Sequence, residues 1–252
     1  MEHLEKMFSE AIAGKKVLIT GGSTGIGREI ALTLSALGAD CMICGRDETP
    51  LEEVVKLAEA SGHAGRIISA QCDLSEEQEV EKLFLALDNE FGRLDILINN
   101  AALAYGSITE GNYSDWSYII KTNLIGNMSP THHALSRMKK NGHGHIVNIG
   151  SMSALSKDEG TSVYVATKSG LQGFSEALRK EVNKMGIKVT LIEPGKVDTD
   201  MQKGTKAERE QKIEAMEMLK AEDIALTVVF CLAQAPRTDI VSLQIRPHLQ
   251  MN

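Results

Sequence analysis

The chain is poor in aromatic residues, cysteine and positive charge, and it has no long apolar run. Aromatics are 4% of its 252 residues, with a single Trp, so the core must be aliphatic. The hydrophobic share of 42% is ample for one. The net charge is −7 and the isoelectric point near 5.6, which argues against non-specific nucleic-acid binding, since that needs a basic face. A local basic pocket for a phosphate is still allowed. No segment reaches the ~18–20 consecutive apolar residues of a membrane span. The opening MEHLEKMFSEAIAGKK carries acids and no long apolar stretch, unlike a secretory signal. The expectation is a cytoplasmic protein with no nucleic-acid and no membrane partner. The four cysteines include one C-x-x-C, Cys41 and Cys44, but no second pair completes a zinc set. That pair lies in DCMICG, which reads as a buried strand whose neighbours point to opposite faces, so the expectation is structural cysteine and no metal.

Short apolar runs alternate with longer amphipathic stretches, without repeats or low-complexity tracts. The predicted strands are KVLIT (16–20), DCMIC (40–44), IISAQ (67–71), ILIN (96–99), HIVNI (145–149), KVTLIE (188–193) and IVSLQI (240–245). The predicted helices include 27–37, 49–61, 76–91, 116–139 and 164–185. Strand–helix alternation with near-continuous apolar strands predicts a Rossmann-type doubly wound α/β fold. Its parallel sheet of about seven strands would be covered by helices on both faces. A length of 252 residues is within reach of one such domain, 1–252. Ligands of such sheets bind beyond the carboxyl ends of the strands, at the switch point of strand order.

The first strand runs into a glycine loop, KVLITGGSTGIGREIALTLSALG, with Gly21, Gly25 and Gly27 spaced G-x-x-x-G-x-G. Glycine permits close backbone approach, and the helix that follows aims free amides and its positive dipole end at the loop. That is an anion site suited to a pyrophosphate. The candidate cradle is Gly21, Ser23, Thr24, Gly25, Ile26 and Gly27. The spacing is neither G-x-G-x-x-G nor a P-loop. At the end of the second strand an acid selects NAD and an arginine accommodates the 2′-phosphate of NADP. The stretch there is CGRDE: Gly45 stands where the acid is sought, and Arg46 follows. A guanidinium can stack on adenine and fork onto a phosphate, so the cofactor is read as NADP(H), with NAD(H) less favoured. Asp47 and Glu48 either cap the next helix or reach the ribose.

With these residues in place the sequence resembles the short-chain dehydrogenase/reductase family, from about Lys16 to Pro247. TGGSTGIG (20–27) is similar to that family's cofactor loop. CDL (72–74) is similar to its adenine contact, with Asp73 beside the base and Leu74 next to it. NNAA (99–102) stands where the family most often has N-N-A-G, so Ala102 is a mild departure. TNLIG carries Asn123 at the catalytic asparagine position, and Ser151 precedes Tyr164 by the family's thirteen residues. YVATK is its Y-x-x-x-K, Tyr164 to Lys168. EPGKVDT (193–199) is similar to the loop that closes over the nicotinamide, bringing Pro194, Gly195, Val197 and Thr199 to the cofactor. The tail, with LKAEDIALTVVFCLAQAP and an I-R-P ending, resembles the NADP-dependent 3-hydroxy-acid and serine-type dehydrogenases and broad carbonyl reductases.

On a helix, residues i and i+4 share a face, so Tyr164 and Lys168 point at one cleft. An ammonium beside a phenol favours phenolate, and the tyrosine pKa is expected to fall toward working pH, as a general acid/base requires. Ser151 would hydrogen-bond the reacting oxygen. The resemblance implies that Asn123 holds a water linking Lys168 to solvent. It also implies that Lys168 contacts the ribose hydroxyls and Thr199 the carboxamide, with the Val197 backbone. Asn100 and Ala101 would line the cofactor pocket, although Asn100 reads equally as a tie between strands. LAYG (103–106) is a candidate for the substrate pocket. His143 and His145 in GHGH read as a surface turn, and His132 and His133 as helix packing or solvent. The charged stretch 203–220, with Met216 and Met218, reads as a lid at about 200–220. Lys196, Lys203 and Arg246 are candidate cations for a substrate carboxylate.

The implied activity is hydride transfer between nicotinamide and a carbonyl or secondary alcohol, the substrate being a 3-hydroxy acid or a broad carbonyl. A non-catalytic NADP-binding sensor on the same fold is the alternative, though a sensor has no need of Asn123, Ser151, Tyr164 and Lys168. An epimerase or dehydratase of a related fold would carry an added substrate domain. The resemblance further implies a homotetramer or homodimer packing the helix at about 120–140 and the Tyr164 helix between subunits.

Overall fold

Seven mostly aliphatic runs supply seven strands, and the side chains of the central ones alternate between two apolar layers. The computed structural model describes residues 8–202 and 204–250. Its strands are β1 (Lys16–Thr20), β2 (Asp40–Gly45), β3 (Ile67–Gln71), β4 (Ile96–Asn99), β5 (Gly144–Ile149), β6 (Ile187–Pro194) and β7 (Ser242–Ile245). They form one sheet in the order β3-β2-β1-β4-β5-β6-β7. Every neighbouring pair is parallel. This is the Rossmann-type α/β fold read from the sequence.

Parallel neighbours need crossovers, and helices supply them on both faces. On one face lie α1 (Gly25–Ala36), α2 (Glu48–Ala60) and α9 (Ala221–Leu232). They pack on Val17, Ile19, Cys41 and Ile43 in one core cluster. The other face carries α3 (Glu77–Phe91), α5 (Gly126–Asn141) and α7 (Ser162–Val182). These cover Leu18, Met42, Cys44 and Leu97 in the second cluster. Odd and even residues of β1 and β2 thus enter different layers, as a pleated strand with both faces covered requires. Cys41 and Cys44 fall on opposite sides, and all four cysteines are free and buried.

The predicted helix 116–139 is three elements. α4 (Tyr113–Ile120) starts earlier, at a capping box in which the Asn112 side chain accepts from the Ser114 and Asp115 amides. A π turn spans Lys121–Ile125, and α5 follows. The interruption falls where Asn123 turns its amide to the backbone of Leu103, a local demand that periodicity does not reveal. Two more helices are short: α6 (Ser153–Ser156) and α8 (Lys206–Glu214). The latter carries its own Thr205–Glu208 capping box and has no buried residue. GHGH also resolves differently from a surface turn. His143 is exposed, but His145 is the second residue of β5, buried and hydrogen-bonded through Nε2 to Thr190 Oγ1 at 2.8 Å.

The chain order reverses between β1 and β4, where successive crossovers run to opposite edges of the sheet. A crevice opens there at the carboxyl ends of the strands. Thr20 ties its two sides together: its Oγ1 accepts from the amides of Asn100 at 3.0 Å and Ala101 at 3.1 Å.

Candidate active site

The glycine loop leads directly from β1 into α1. Gly21 and Gly25 have φ of +64° and +53°, a region other residues rarely adopt. A side chain on Gly21 would come within 2.9 Å of Ala101 Cα, and one on Gly25 within 3.1 Å of Thr199 Cγ2. Gly27 packs behind the loop, where a Cβ would collide with the Gly21 carbonyl. The loop can therefore approach a ligand with bare backbone, and the α1 amides point into it. Asn100 takes the strand-tying role, donating from Nδ2 to the carbonyls of Thr20 at 3.0 Å and Gly21 at 2.9 Å. It also faces the cleft, so both readings of Asn100 describe the same residue.

That cleft holds about 800 Å³ and runs from Arg46 and Asp73 at one end to Tyr105, Met152 and Met201 at the other. Every predicted catalytic and cofactor-binding residue lines it except two, Gly27 and Asn123. Asn123 is fully buried behind the wall. Its Oδ1 accepts from Leu103 N at 2.7 Å, and its Nδ2 donates to Leu103 O at 2.8 Å and Thr167 Oγ1 at 3.3 Å. The amide is thus occupied by protein partners and clamps the Leu103 strap.

Ser151 sits two residues beyond β5 on a segment tied to β6. There the Gly150 amide donates to Ile192 O at 2.7 Å and the Met152 amide to Pro194 O at 2.9 Å. Ser151 Oγ accepts from Ser153 N at 3.1 Å, and Ser151 lies close enough to the Tyr164 phenol to act on its pKa. Tyr164 and Lys168 project from one face of α7, and the Lys168 Nζ lies 5.8 Å from the Tyr164 ring centre. The ammonium is 3% exposed and donates to Ile149 O at 2.9 Å. Burial pulls its pKa down from 10.5 to about 8. The phenol departs from expectation. Burial raises the Tyr164 pKa above its ordinary value, against a smaller lowering by Ser151. Desolvation outweighs the favourable neighbour because the lysine is itself desolvated and directed at a carbonyl.

At the other end, Arg46 follows β2, its carbonyl held by Gln71 Nε2 at 2.7 Å. Asp73 follows β3, its Oδ1 accepting from Ser75 N at 2.9 Å. Asp47 is the N-cap residue of α2 but makes no side-chain cap, and Glu48 lies in that helix's first turn.

Leu103, Ala104 and Tyr105 line the cleft, as do Lys196, Asp158 and Ser156. Arg246 is exposed and does not face the cleft. Lys203 lies outside the described residues. Of the methionines in the segment expected to form a lid, Met218 is 4% exposed and Met216 54%; neither lines the cleft, whereas Met201 does. Arg209 of α8 bonds Asp198 Oδ1 at 2.5 Å, joining that helix to the loop after β6. Sequence reasoning passed over Tyr118, Met152 and Asp158, which belong to no spaced motif. Among the described residues no three His, Cys, Asp or Glu converge as a metal set.

Comparison with known proteins gives concordant matches. The short chain dehydrogenase family model matches residues 15–210. An oxidoreductase of Staphylococcus epidermidis, itself uncharacterised, is 33% identical over 234 residues, which is 92% of this chain and 97% of the relative. A short chain dehydrogenase from Burkholderia cenocepacia in complex with NADP superposes with a TM-score of 0.83 at 32% identity, covering 94% of this chain and 98% of that one. An actinorhodin polyketide ketoreductase with NADPH gives a TM-score of 0.84 at 28% identity, covering 95% and 98%.

Proposed function

The chain belongs to the short-chain dehydrogenase/reductase family, and on that premise we propose that it is an NADP(H)-dependent oxidoreductase acting on a carbonyl or secondary alcohol. The observation that carries the reading is the convergence of Ser151, Tyr164 and Lys168 on the same cleft as the bare glycine cradle.

The residues present fit the cofactor. Gly21 and Gly25 leave room for a pyrophosphate against the α1 amides, and Thr199 covers Gly25 from above. Arg46 reads a 2′-phosphate and Asp73 the adenine. Lys168 already donates one N–H to Ile149 O and keeps two for the ribose hydroxyls. The bound nicotinamide supplies or accepts the hydride. Ser151 receives an amide hydrogen bond on Oγ, which leaves its own proton to give to a substrate oxygen. Tyr164, beside Ser151 on the same cleft, shares that oxygen. In reduction its phenol donates the proton as charge develops, and in oxidation it removes the alcohol proton. Lys168 steadies the phenolate and replenishes its proton. Asn123 acts by fixing Leu103 and the wall behind α7. The apolar Leu103, Ala104, Met152 and Met201 with one cation, Lys196, suit small carbonyl substrates, 3-oxo and 3-hydroxy acids among them. The segment from about 200 to 220 serves as a lid, and α5 and α7 pair subunits in a dimer or tetramer.

The test follows absorbance at 340 nm with NADPH and NADH against aldehydes, ketones and 3-oxo acids, and with NADP against serine and 3-hydroxy acids. NADPH-dependent turnover is expected, lost in Tyr164→Phe with NADPH still bound. Tight NADPH binding with no turnover on any substrate would favour the sensor instead. Full activity in Tyr164→Phe would refute the assigned chemistry.

A further inference from the structure

Tyr118 belongs to no motif, yet it joins the two residues that define the adenine end of the cleft. Its hydroxyl lies 2.9 Å from Arg46 NH1 and 2.9 Å from Asp73 Oδ2. The proton roles are fixed by chemistry. A guanidinium can only donate and a carboxylate only accept, so the phenol oxygen accepts from Arg46 and gives its one proton to Asp73.

The arrangement solves an electrostatic problem. Arg46 is exposed, on a long flexible side chain, with the carboxylate of Asp73 close by. Left alone, the guanidinium would pair with that carboxylate, and its charge would be spent there. Asp73 would also repel a phosphate. The phenol stands between them as a neutral spacer. It takes one acceptor site of Asp73 and holds one arm of Arg46. Arg46 Nε and NH2 make no hydrogen bond among the described residues, so the rest of the fork stays open to a doubly charged oxyanion. Ordering the side chain beforehand lowers the entropy lost when that oxyanion arrives.

Given the 2′-phosphate role of Arg46 above, we propose that Tyr118 is a positioning residue for cofactor selection, holding Arg46 apart from Asp73 and aimed at the 2′-phosphate. NADPH then gains from the phenol hydroxyl, and NADH does not.

The experiment is calorimetric titration of the full chain with NADPH, NADH, 2′,5′-ADP and 5′-AMP. The proteins are wild type, Tyr118→Phe and Arg46→Ala, with thermal midpoints recorded beside. Tyr118→Phe should weaken NADPH and 2′,5′-ADP by about 10- to 150-fold, the scale of one hydrogen bond to a charged group. NADH and 5′-AMP should change by less than about twofold, because the deleted bond acts only through the phosphate reader. An equal loss for both nucleotide classes would make Tyr118 a structural support only, and a gain for NADPH would make it a block on the site. Either result overturns the proposal. Arg46→Ala separates the two levels. If it leaves the NADPH-to-NADH ratio unchanged, the reading of Arg46 fails as well. If it collapses the ratio while Tyr118→Phe does not, only the role of Tyr118 fails.

Discussion

Replacing Lys168 with Met should change how stability depends on pH, and the size of that change follows from burial. In the cofactor-free fold the Lys168 pKa is lowered from 10.5 to about 8. The unfolded chain therefore binds this proton more tightly than the folded one. Keeping the buried ammonium charged costs stability at neutral pH, and the cost is relieved as pH rises from about 8 toward 10.5. Linkage puts it at about 3 kcal/mol at pH 7 and about 1 kcal/mol at pH 10, so about 2 to 3 kcal/mol returns in that window. Lys168→Met removes the titration. It also strands the Ile149 carbonyl, but that penalty is independent of pH and cancels when slopes are compared. Urea unfolding of both proteins without nucleotide, at intervals from pH 7 to 10, gives the difference directly. Wild type should gain on the variant steadily across the range, by about 2 to 3 kcal/mol in all. Parallel curves would mean that Lys168 keeps an ordinary pKa, and the picture of a desolvated ammonium beside Tyr164 would be wrong.

His145 supplies the acid counterpart. Its ring is buried, and its pKa falls from 6.5 to about 3 through desolvation and then the charge of Lys188. The unfolded chain takes up this proton first, so stability is lost as pH falls below 6.5. Wild type should lose about 2 kcal/mol between pH 7.5 and 5 relative to His145→Gln, measured by urea unfolding; equal losses would refute it. Two glycines should respond in opposite ways. Gly27→Ala drives a methyl into the Gly21 carbonyl and the Asn100 amide, so it should cost ~1–3 kcal/mol and weaken NADPH binding in a fluorescence titration. Gly173→Ala places its methyl in open space on α7 and should raise stability by ~0.5–1 kcal/mol in a thermal melt.

The sheet was legible because each strand is an apolar run of the right length between breakers. Three strands, β1, β3 and β4, begin and end where the residue pattern places them. The helix around Asn123 was not, because a π turn is set by one buried amide reaching a distant backbone and leaves the 3.6-residue period nearly intact. His145 was misjudged from its glycine neighbours. Gly144 opens β5, and the imidazole finds Thr190 on the adjacent strand, a partner 45 residues away. Apart from Tyr164 and Lys168 on α7, the cleft residues that sequence did name lie close after strand ends, where the topology of a doubly wound sheet collects them. Tyr118 escaped because it acts at a distance of 72 residues from Arg46, with no spacing to mark it.

The Tyr164 shift bears on the direction of the chemistry. A phenol whose pKa is raised by burial is fully protonated at neutral pH. It is then ready as a proton donor, the role that carbonyl reduction asks of it. Taking a proton from an alcohol requires the phenolate, and in this cleft the phenolate is only partly solvated. Lys168 is its nearest compensation, yet that ammonium is itself held near 8 by burial. A further positive charge in the cleft would favour the phenolate, and an oxidised nicotinamide carries one whereas the reduced form does not. Burial and cofactor charge therefore act in opposite senses on the same hydroxyl. On the proposed reading, a reduced nicotinamide would leave Tyr164 an acid, and an oxidised one would move it toward a base. One tyrosine can thus serve both directions without any rearrangement of the residues around it.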